Sequence, residues 1–288
     1  MPHRANILRA SLWMTGAIAS FTTMAIAGRA VSTELDTFEI MTFRSLVGII
    51  VVLVVARATG SLNQITRRHL GTHFVRNLGH FAGQNLWFYS LPLIPLAQVF
   101  ALEFTAPLWV ILLSPLVLKE RITPIRAMSA FLGFIGILIV ARPTPDSFEF
   151  GQLTAASAAI GFAISIMFTA KLTRSETTTC VLFYLTTMQA VFGIICAGYD
   201  GEVTLPSMQA LPWLVLIGFS GLLGHFSLTN ALSIAPATVV VPFDFARLPL
   251  IAVIGMVFYS EPLELWVAVG AIVIFGANYL NIWNETRR

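Results

Sequence analysis

Charged residues are scarce in this sequence: Asp, Glu, Lys and Arg make up 11% of the 288 residues, whereas 57% are hydrophobic. So little polar surface cannot cover a soluble globular protein of this length, and the mean hydropathy of +0.82 agrees with this. The composition therefore predicts an integral membrane protein.

Cysteine and the common catalytic motifs are also scarce or absent. The two cysteines, Cys180 and Cys196, lie on one predicted helix, too far apart for a disulfide or a paired metal site. No GxxxxGK[ST] phosphate-binding loop, His-Glu-x-x-His zinc motif or GxSxG turn occurs. These absences argue against direct ATP coupling and disfavour a membrane enzyme, and we expect neither a metal nor a cofactor.

What is present is a series of apolar runs of about 20 residues, the length that crosses roughly 30 Å of hydrocarbon. Polar or proline-containing breaks separate the runs, and none of the breaks is long enough for a soluble domain. The pattern predicts an all-α fold with ten transmembrane helices, at residues 7–29, 37–56, 70–91, 96–118, 124–141, 150–171, 177–198, 208–233, 237–259 and 263–284.

The basic residues predict the orientation, since Lys and Arg are retained in cytoplasmic loops. With the N-terminus inside, twelve of them fall on the cytoplasmic side, and only Arg29 and Arg142 fall outside. Both termini are therefore predicted to be cytoplasmic. The net charge of +3 then reflects topology, and we expect no nucleic-acid partner.

The second half of the chain repeats the first at an offset of 141 residues. LPLIPLAQVFALEFTAPLW aligns with LSIAPATVVVPFDFARLPL without a gap, which places Glu103 on Asp244. Each half then has five helices, and because five is odd the second half enters the membrane in the opposite sense. The sequence predicts two inverted repeats, residues 1–144 and 145–288, with a substrate site between them near the bilayer midplane.

Polar, small and aromatic side chains recur at spacings of three and four on predicted helices 1, 3, 6 and 8, which places them on one face of each helix. Lipid does not tolerate such faces, so we predict that they surround a wet cavity. Small residues also serve close helix packing, and a buried histidine is often satisfied by a neighbouring helix, so both alternatives stay open. The predicted cavity residues are Trp13, Ser20, Arg76, Asn77, His80, Gln84, Trp87, Gly161, Ser165, Phe168 and His225.

Ionisable residues inside predicted helices indicate ion pairs, because an isolated charge in a membrane is unfavourable. Arg44 and Glu103 lie at similar depth and are predicted to neutralise each other; Asp244 and Arg247 are three residues apart, and Arg76 is a further partner for Asp244. These pairs either gate the cavity or hold helices together. Pro107, Pro242 and Pro249 are predicted hinges, because proline interrupts helical hydrogen bonds.

These features resemble the drug/metabolite transporter superfamily, of the EamA type. Residues 88–143 and 231–280 carry the resemblance: each has a short turn, a helix with an internal proline, and an acid, Glu120 or Glu261, before the last helix. The resemblance covers the whole chain and both repeats.

The resemblance implies a secondary transporter of the bacterial inner membrane. Its implied activity is export of amino acids, including aromatic ones, or similar small metabolites by alternating access, as in the YddG-type exporters. Its expected partners are a small-molecule substrate and the lipid bilayer, and we expect a monomer. Efflux of drugs or cationic compounds, nucleotide-sugar transport and a channel remain alternatives.

Overall fold

The computed structural model describes residues 4–117, 123–142, 150–199, 201–235, 240, 243–244, 247–262 and 264–287. These residues form helices, turns and irregular connections, and no strand occurs among them. The helices, numbered in chain order, are α1 Arg4–Val31, α2 Thr37–Ala58, α3 Leu70–Ser90, α4 Leu96–Glu103, α5 Ala106–Val117, α6 Pro124–Ala141, α7 Phe150–Leu172, α8 Thr178–Ala197, α9 Leu211–Ile234, α10 Arg247–Tyr259 and α11 Leu265–Arg287.

Six segments of the described chain are long and apolar enough to cross a membrane: Leu8–Val31, Thr37–Ala58, Leu96–Leu113, Phe150–Leu172, Thr178–Ala197 and Leu211–Ile234. Shorter apolar stretches lie in α6, α10 and α11. The all-helical membrane fold is thus confirmed. Cys180 and Cys196 both lie on α8 as free thiols.

The predicted helix 96–118 is two helices. α4 ends at Glu103, Phe104 and Thr105 form a turn, and α5 begins at Ala106. Pro107 lies in the first turn of α5, where its missing N–H sacrifices no helical hydrogen bond. The interruption leaves the acidic residue at a helix end within an apolar segment.

The corresponding part of the second half is also not one regular helix. Phe243 and Asp244 form a 3₁₀ turn, and α10 begins at Arg247 with Pro249 in its first turn. Pro242 lies outside the described residues. Both acidic residues therefore lie beside the start of a new helical segment.

The two halves interleave rather than forming separate lobes. α1 packs on α9, α3 on α7, α2 on α8 and α6 on α11. The predicted repeat relates α1 to α7, α2 to α8, α3 to α9 and α6 to α11. The α1–α9 contact therefore corresponds to the α3–α7 contact, while the α2–α8 and α6–α11 contacts each correspond to themselves. The close α3–α7 approach requires glycine: a Cβ on Gly161 would lie 2.5 Å from the Gly79 carbonyl oxygen and 2.7 Å from Gly83 Cα.

Different segments of the chain contact one another at each end of the helix bundle. At one end Arg29 forms an ion pair with Glu261, and the Glu261 carboxylate also accepts a hydrogen bond from the Leu96 N–H at 2.9 Å. At the other end the Thr66 hydroxyl lies 2.8 and 2.9 Å from the two Glu176 carboxylate oxygens. The residues that meet at each end are thus ones that the topology predicted from the sequence places on the same side of the membrane.

Candidate functional site

A buried polar cavity lies where α1, α3, α4, α7 and α9 meet the segment around Asp244 and Arg247. Its volume is about 80 Å³, and an adjoining void of about 40 Å³ shares Glu103 and Asp244 with it. Both halves of the chain contribute to the lining. The charged and polar lining residues are Arg76, His80, Gln84, Glu103, Ser165, Thr169, His225, Thr229, Asp244 and Arg247.

One side of the cavity is formed by Glu103, Asp244 and Arg247, which we call the acidic wall. Arg247 Nη2 donates to Glu103 Oε1 at 2.7 Å and to Asp244 Oδ2 at 2.5 Å. These are distances of charge-assisted hydrogen bonds. One guanidinium thus serves two carboxylates, so the formal charge of the acidic wall is negative.

Aromatic rings hold the acidic wall in place. The Arg247 guanidinium lies 4.7 Å from the ring centroid of Phe100, within cation–π range. Trp87 Nε1 donates to Glu103 Oε2 at 2.8 Å, so both oxygens of that carboxylate are bonded. Asp244 Oδ1 and Arg247 Nε, by contrast, are buried and have no hydrogen-bond partner in the described part of the chain.

A second side, the α3 wall, consists of Arg76, His80 and Gln84, which follow one another at four-residue intervals on α3. Arg76 is 1% exposed. Its Nε donates to the Thr169 hydroxyl at 3.0 Å and its Nη1 to the Asn77 side-chain oxygen at 2.7 Å. Both partners are neutral, and no carboxylate of the described residues lies within ion-pair distance of Arg76.

Two histidines meet at the same cavity. His80 Nε2 of α3 and His225 Nε2 of α9 are 2.7 Å apart, so one ring donates and the other accepts. His80 Nδ1 and Gln84 Nε2 are buried without a hydrogen-bond partner among the described residues. The α3 wall therefore presents nitrogen atoms with unused hydrogen-bonding capacity beside the cavity.

The predicted pair of Arg44 and Glu103 does not form. Arg44 lies over Gly221 of α9, where its Nη1 contacts the Met41 sulfur at 3.4 Å. Glu103, at the end of α4, contacts Arg247 instead. The prediction was wrong because equal depth along two helices does not determine which way each side chain faces.

Arg76 also does not share Asp244, whose charged partner is Arg247 at the predicted three-residue spacing. Of the predicted cavity set, Arg76, His80, Gln84, Trp87, Ser165 and His225 line the cavity. Their role in binding cargo remains a prediction.

Trp13 and Ser20 are not part of the cavity lining. Trp13 is half-exposed and meets Phe226 edge-on, with 5.5 Å between ring centroids. Ser20 lines a groove of about 570 Å³ between α1, α2, α8 and α9, which valine, leucine and phenylalanine side chains dominate. Phe219 and Leu223 on this groove are more than half exposed, so it opens onto the hydrocarbon-facing surface.

The remaining predicted residues have packing contacts. Asn77 Nδ2 donates to the Tyr184 carbonyl at 3.1 Å, which joins α3 to α8. Gly161 lies against α3, and Phe168 is half-buried outside the cavity lining. Small and polar residues on the predicted faces thus divide between lining and packing.

The cavity also contains residues that were not predicted, including Phe21, Met24, Phe162 and Thr169. Thr169 could have been predicted from the sequence, because it follows Ser165 by four residues on the same face of α7. The apolar members carry no comparable signal, since phenylalanine and methionine occur throughout the membrane-spanning segments.

Comparison with known proteins identifies the family. The profile of the EamA-like transporter family matches the chain twice, over residues 8–142 and 149–283.

Curated relatives are named as transporters. A riboflavin transporter of Brucella anthropi is 34% identical over 215 residues, which cover 73% of this chain and 75% of that protein. A riboflavin transporter of Vibrio cholerae is 27% identical over 98% of this chain and 95% of that protein. An S-adenosylmethionine uptake transporter of Rickettsia bellii is 27% identical over 96% of this chain and 94% of that protein.

A protein of known crystal structure has the same fold, with a TM-score of 0.69 over 96% of this chain and 98% of that chain, at 19% identity. The family profile and the relatives confirm the resemblance seen in the sequence. The chain therefore belongs to the EamA-like transporter family of the drug/metabolite transporter superfamily, and it is a multi-pass transporter of the bacterial inner membrane rather than an enzyme.

Proposed function

We propose that this protein is a secondary carrier for a small metabolite that combines a planar nitrogen heterocycle with a polar chain. The observation that carries the proposal is the contrast between the two walls of one buried cavity. The acidic wall is formally negative, whereas Arg76 on the α3 wall has only neutral partners in the described structure. A cargo with acceptor atoms at one end and donors at the other matches both walls.

The names of the relatives support this class of cargo. Riboflavin and S-adenosylmethionine both contain a planar nitrogen heterocycle joined to a hydroxylated group, which is an open ribityl chain in the first and a ribose ring with a methionine part in the second. Aromatic rings and hydrogen-bonding groups together suit such molecules, and the cavity offers Phe21, Phe162 and Trp87 beside the α3 wall. The Rickettsia relative is named for uptake, which favours import over export.

Amino-acid export is the second candidate. An amino-acid zwitterion also fits walls of opposite charge, with its carboxylate at Arg76 and its ammonium group near the acidic wall. Aromatic amino acids would use the same rings. The two candidates thus differ in cargo and direction, and not in the residues that bind.

The cavity must enlarge for either cargo to bind. Its volume of about 80 Å³ is well below the roughly 300 to 1,000 Å³ of small-molecule pockets. The helix is interrupted after Glu103 and there is a turn at Asp244, both on the acidic wall. At such interruptions helical segments can move relative to one another. We infer alternating access, in which the two halves separate on one side and then on the other.

The proposed topology is ten transmembrane helices in two inverted repeats, residues 1–144 and 145–288, with both termini cytoplasmic. The pseudo-symmetric helix contacts support it, as does the grouping of connections at the two ends. Because both walls come from one chain, a monomer suffices. A reporter fused after Arg288 should be cytoplasmic and one inserted at Asp200 should be periplasmic; an outside C-terminus would contradict the repeat.

Counterflow in proteoliposomes tests the function. Vesicles preloaded with riboflavin, S-adenosylmethionine, each of the twenty amino acids, a nucleotide sugar or a quaternary ammonium dye are given the same compound with a label outside. We expect saturable counterflow with a heterocyclic compound, and its loss in Arg76→Ala. Counterflow with amino acids alone would favour the second candidate, flux without saturation would indicate a channel, and no flux would overturn the proposal.

A further inference from the structure

The His80–His225 contact is a direct link between the two halves of the chain. His80 belongs to α3 of the first half and His225 to α9 of the second, and their Nε2 atoms are 2.7 Å apart. The two rings are tilted by 52° with 4.5 Å between centroids, and both are buried. If α3 and α9 separate to admit cargo, this hydrogen bond must break.

The geometry limits how many protons the pair holds. A 2.7 Å contact between two ring nitrogens contains one hydrogen, which one Nε2 donates to the lone pair of the other. Hydrogens on both Nε2 atoms cannot occupy these positions, because neither nitrogen would then have a lone pair to accept. An imidazolium ring carries hydrogen on both of its nitrogens, so the linked pair excludes the state in which both rings are charged.

Arginine side chains lie on the same side of the cavity as the pair and oppose added positive charge on it. Arg76 lies one turn away on α3 and lines the same cavity, and Arg44 of α2 lies over Gly221, one turn before His225 on α9. His73 lies further along the same face of α3. The carboxylates that line the cavity, Glu103 and Asp244, are both bonded to Arg247.

Separation of the helices reverses these conditions. Once α3 and α9 move apart, the two rings no longer compete for one hydrogen, and entering water can solvate a charged imidazole. Histidine then titrates in the range in which it is an effective proton carrier, around pH 6.5 when unperturbed.

We propose that the His80–His225 pair is the proton site of this carrier. In the linked state the pair shares one Nε2 hydrogen and ties α3 to α9. In the separated state each ring can hold an additional proton from the water that enters the open cavity, and relinking returns these protons to the same water. A lower pH therefore favours the open cavity, and the inference rests on the carrier function proposed above.

A distance measurement between α3 and α9 tests this without any cargo. Spin labels replace Leu70 and Ser233 at one end of the two helices, or Tyr89 and Leu211 at the other, in a background with Cys180→Ala and Cys196→Ala. All four label sites are exposed. Double electron–electron resonance in nanodiscs measures the distance between the two labels at pH 8 and at pH 5, and the only added ligand is the proton.

We expect at least one label pair to gain a longer-distance population at pH 5. His80→Asn with His225→Asn removes both titrating rings and should make the distances independent of pH. His73→Asn removes a buried imidazole outside the pair and should leave the pH response intact. Distances that do not change with pH in the unsubstituted background, or a response that survives in the double variant, would overturn the proposal.

Flux then separates this inference from the carrier function. With a compound that shows counterflow in the unsubstituted carrier, the counterflow rate should differ between vesicles held at pH 8 and at pH 5 on both sides of the membrane. Counterflow with no response to pH would reject the proton site and leave the carrier function standing, whereas pH-dependent distances without any flux would do the reverse.

Discussion

Two arginines line the same cavity, yet their surroundings differ. Arg247 contacts two carboxylates and lies against phenylalanine rings, whereas Arg76 has a threonine hydroxyl and an asparagine oxygen. Both side chains are almost fully buried. A buried charge without a counter-ion is unfavourable, so its retention needs an explanation.

The difference separates two uses of a buried cation. The charge of Arg247 is fully used by its two carboxylate partners, which would face each other within the protein without it. Among the described residues Arg76 has only neutral partners, so its charge remains available to an anionic or acceptor-rich group in the cavity. We infer that Arg247 holds helices together, whereas Arg76 is available to bind cargo. Substitutions of the residues on the two walls test this difference.

Arg247→Ala should have the largest effect. It leaves Glu103 and Asp244 buried without a cation, and removing one partner of a buried pair destabilises proteins by about 3 to 5 kcal/mol. We expect a large fall in the apparent melting temperature in detergent, measured as monodisperse protein remaining after heating.

The matched control is Arg142→Ala. Arg142 also faces a carboxylate, Glu264, at 3.7 Å, but both side chains are largely exposed. Exposed pairs contribute roughly 0 to 1 kcal/mol, so this variant should melt close to the unsubstituted protein. Equal melting of both variants would mean that the acidic wall is not a structural clamp.

Arg76→Ala should spare stability more than Arg247→Ala does, because it strands no carboxylate of the described residues. Its main effect should be on cargo, since a hydrogen bond to a charged group contributes about 1.5 to 3 kcal/mol, or roughly 10- to 150-fold in affinity. Calorimetric titration with the compound that gives counterflow measures this loss. Arg76→Lys, which keeps the charge without the planar fork, should lose less, and unchanged affinity in folded Arg76→Ala would place the cargo elsewhere.

Glu103→Gln tests the acidic wall with a smaller change. The amide oxygen can still accept from Trp87 Nε1 or from Arg247, but the negative charge is gone. Because charged hydrogen bonds exceed neutral ones by about 1 kcal/mol, we expect a loss of that order. Glu103→Ala should be more damaging, since it also strands the buried indole N–H. If Glu103→Gln melts at the same temperature as the unsubstituted protein, the carboxylate charge is not needed for stability.

The α3 wall was predictable from sequence because it depends on local geometry alone. Arg76, His80 and Gln84 follow one another at four-residue intervals, and any regular helix places them on one face. The helical class and the membrane location follow in the same way from composition and run length.

The acidic wall was less predictable because it depends on tertiary geometry. Hydropathy averaged over a window does not detect the interruption after Glu103, and depth along a helix does not report its rotation. Arg44 was therefore paired with Glu103, although it lies over Gly221. Small residues such as Gly161 were ambiguous because cavity lining and close packing require the same side chains.

Gln84→Leu should have the smallest effect on stability, and it should affect stability and cargo binding differently. Gln84 Nε2 is buried and has no hydrogen-bond partner among the described residues, so the unliganded protein gains nothing from this donor. Replacing it with leucine removes an unsatisfied group, and we expect the melting temperature to stay the same or rise. If the α3 wall binds cargo, affinity should still fall roughly 3- to 10-fold, as for one neutral hydrogen bond of about 1 kcal/mol.

Gln189→Leu is the matched control, because Gln189 Nε2 already donates to the Asn77 carbonyl at 2.8 Å. Gln189 Oε1, like Gln84 Nε2, is buried without a partner among the described residues, so the two variants differ in the hydrogen bond that Gln189→Leu loses. Gln189→Leu should therefore melt below Gln84→Leu and, because Gln189 lies outside the cavity lining, leave affinity unchanged. The two glutamines thus make opposite predictions for the same substitution. If Gln84→Leu lowered stability and left affinity intact, the α3 wall would be a packing face like the one around Asn77, and the distinction between the two arginines would fail with it.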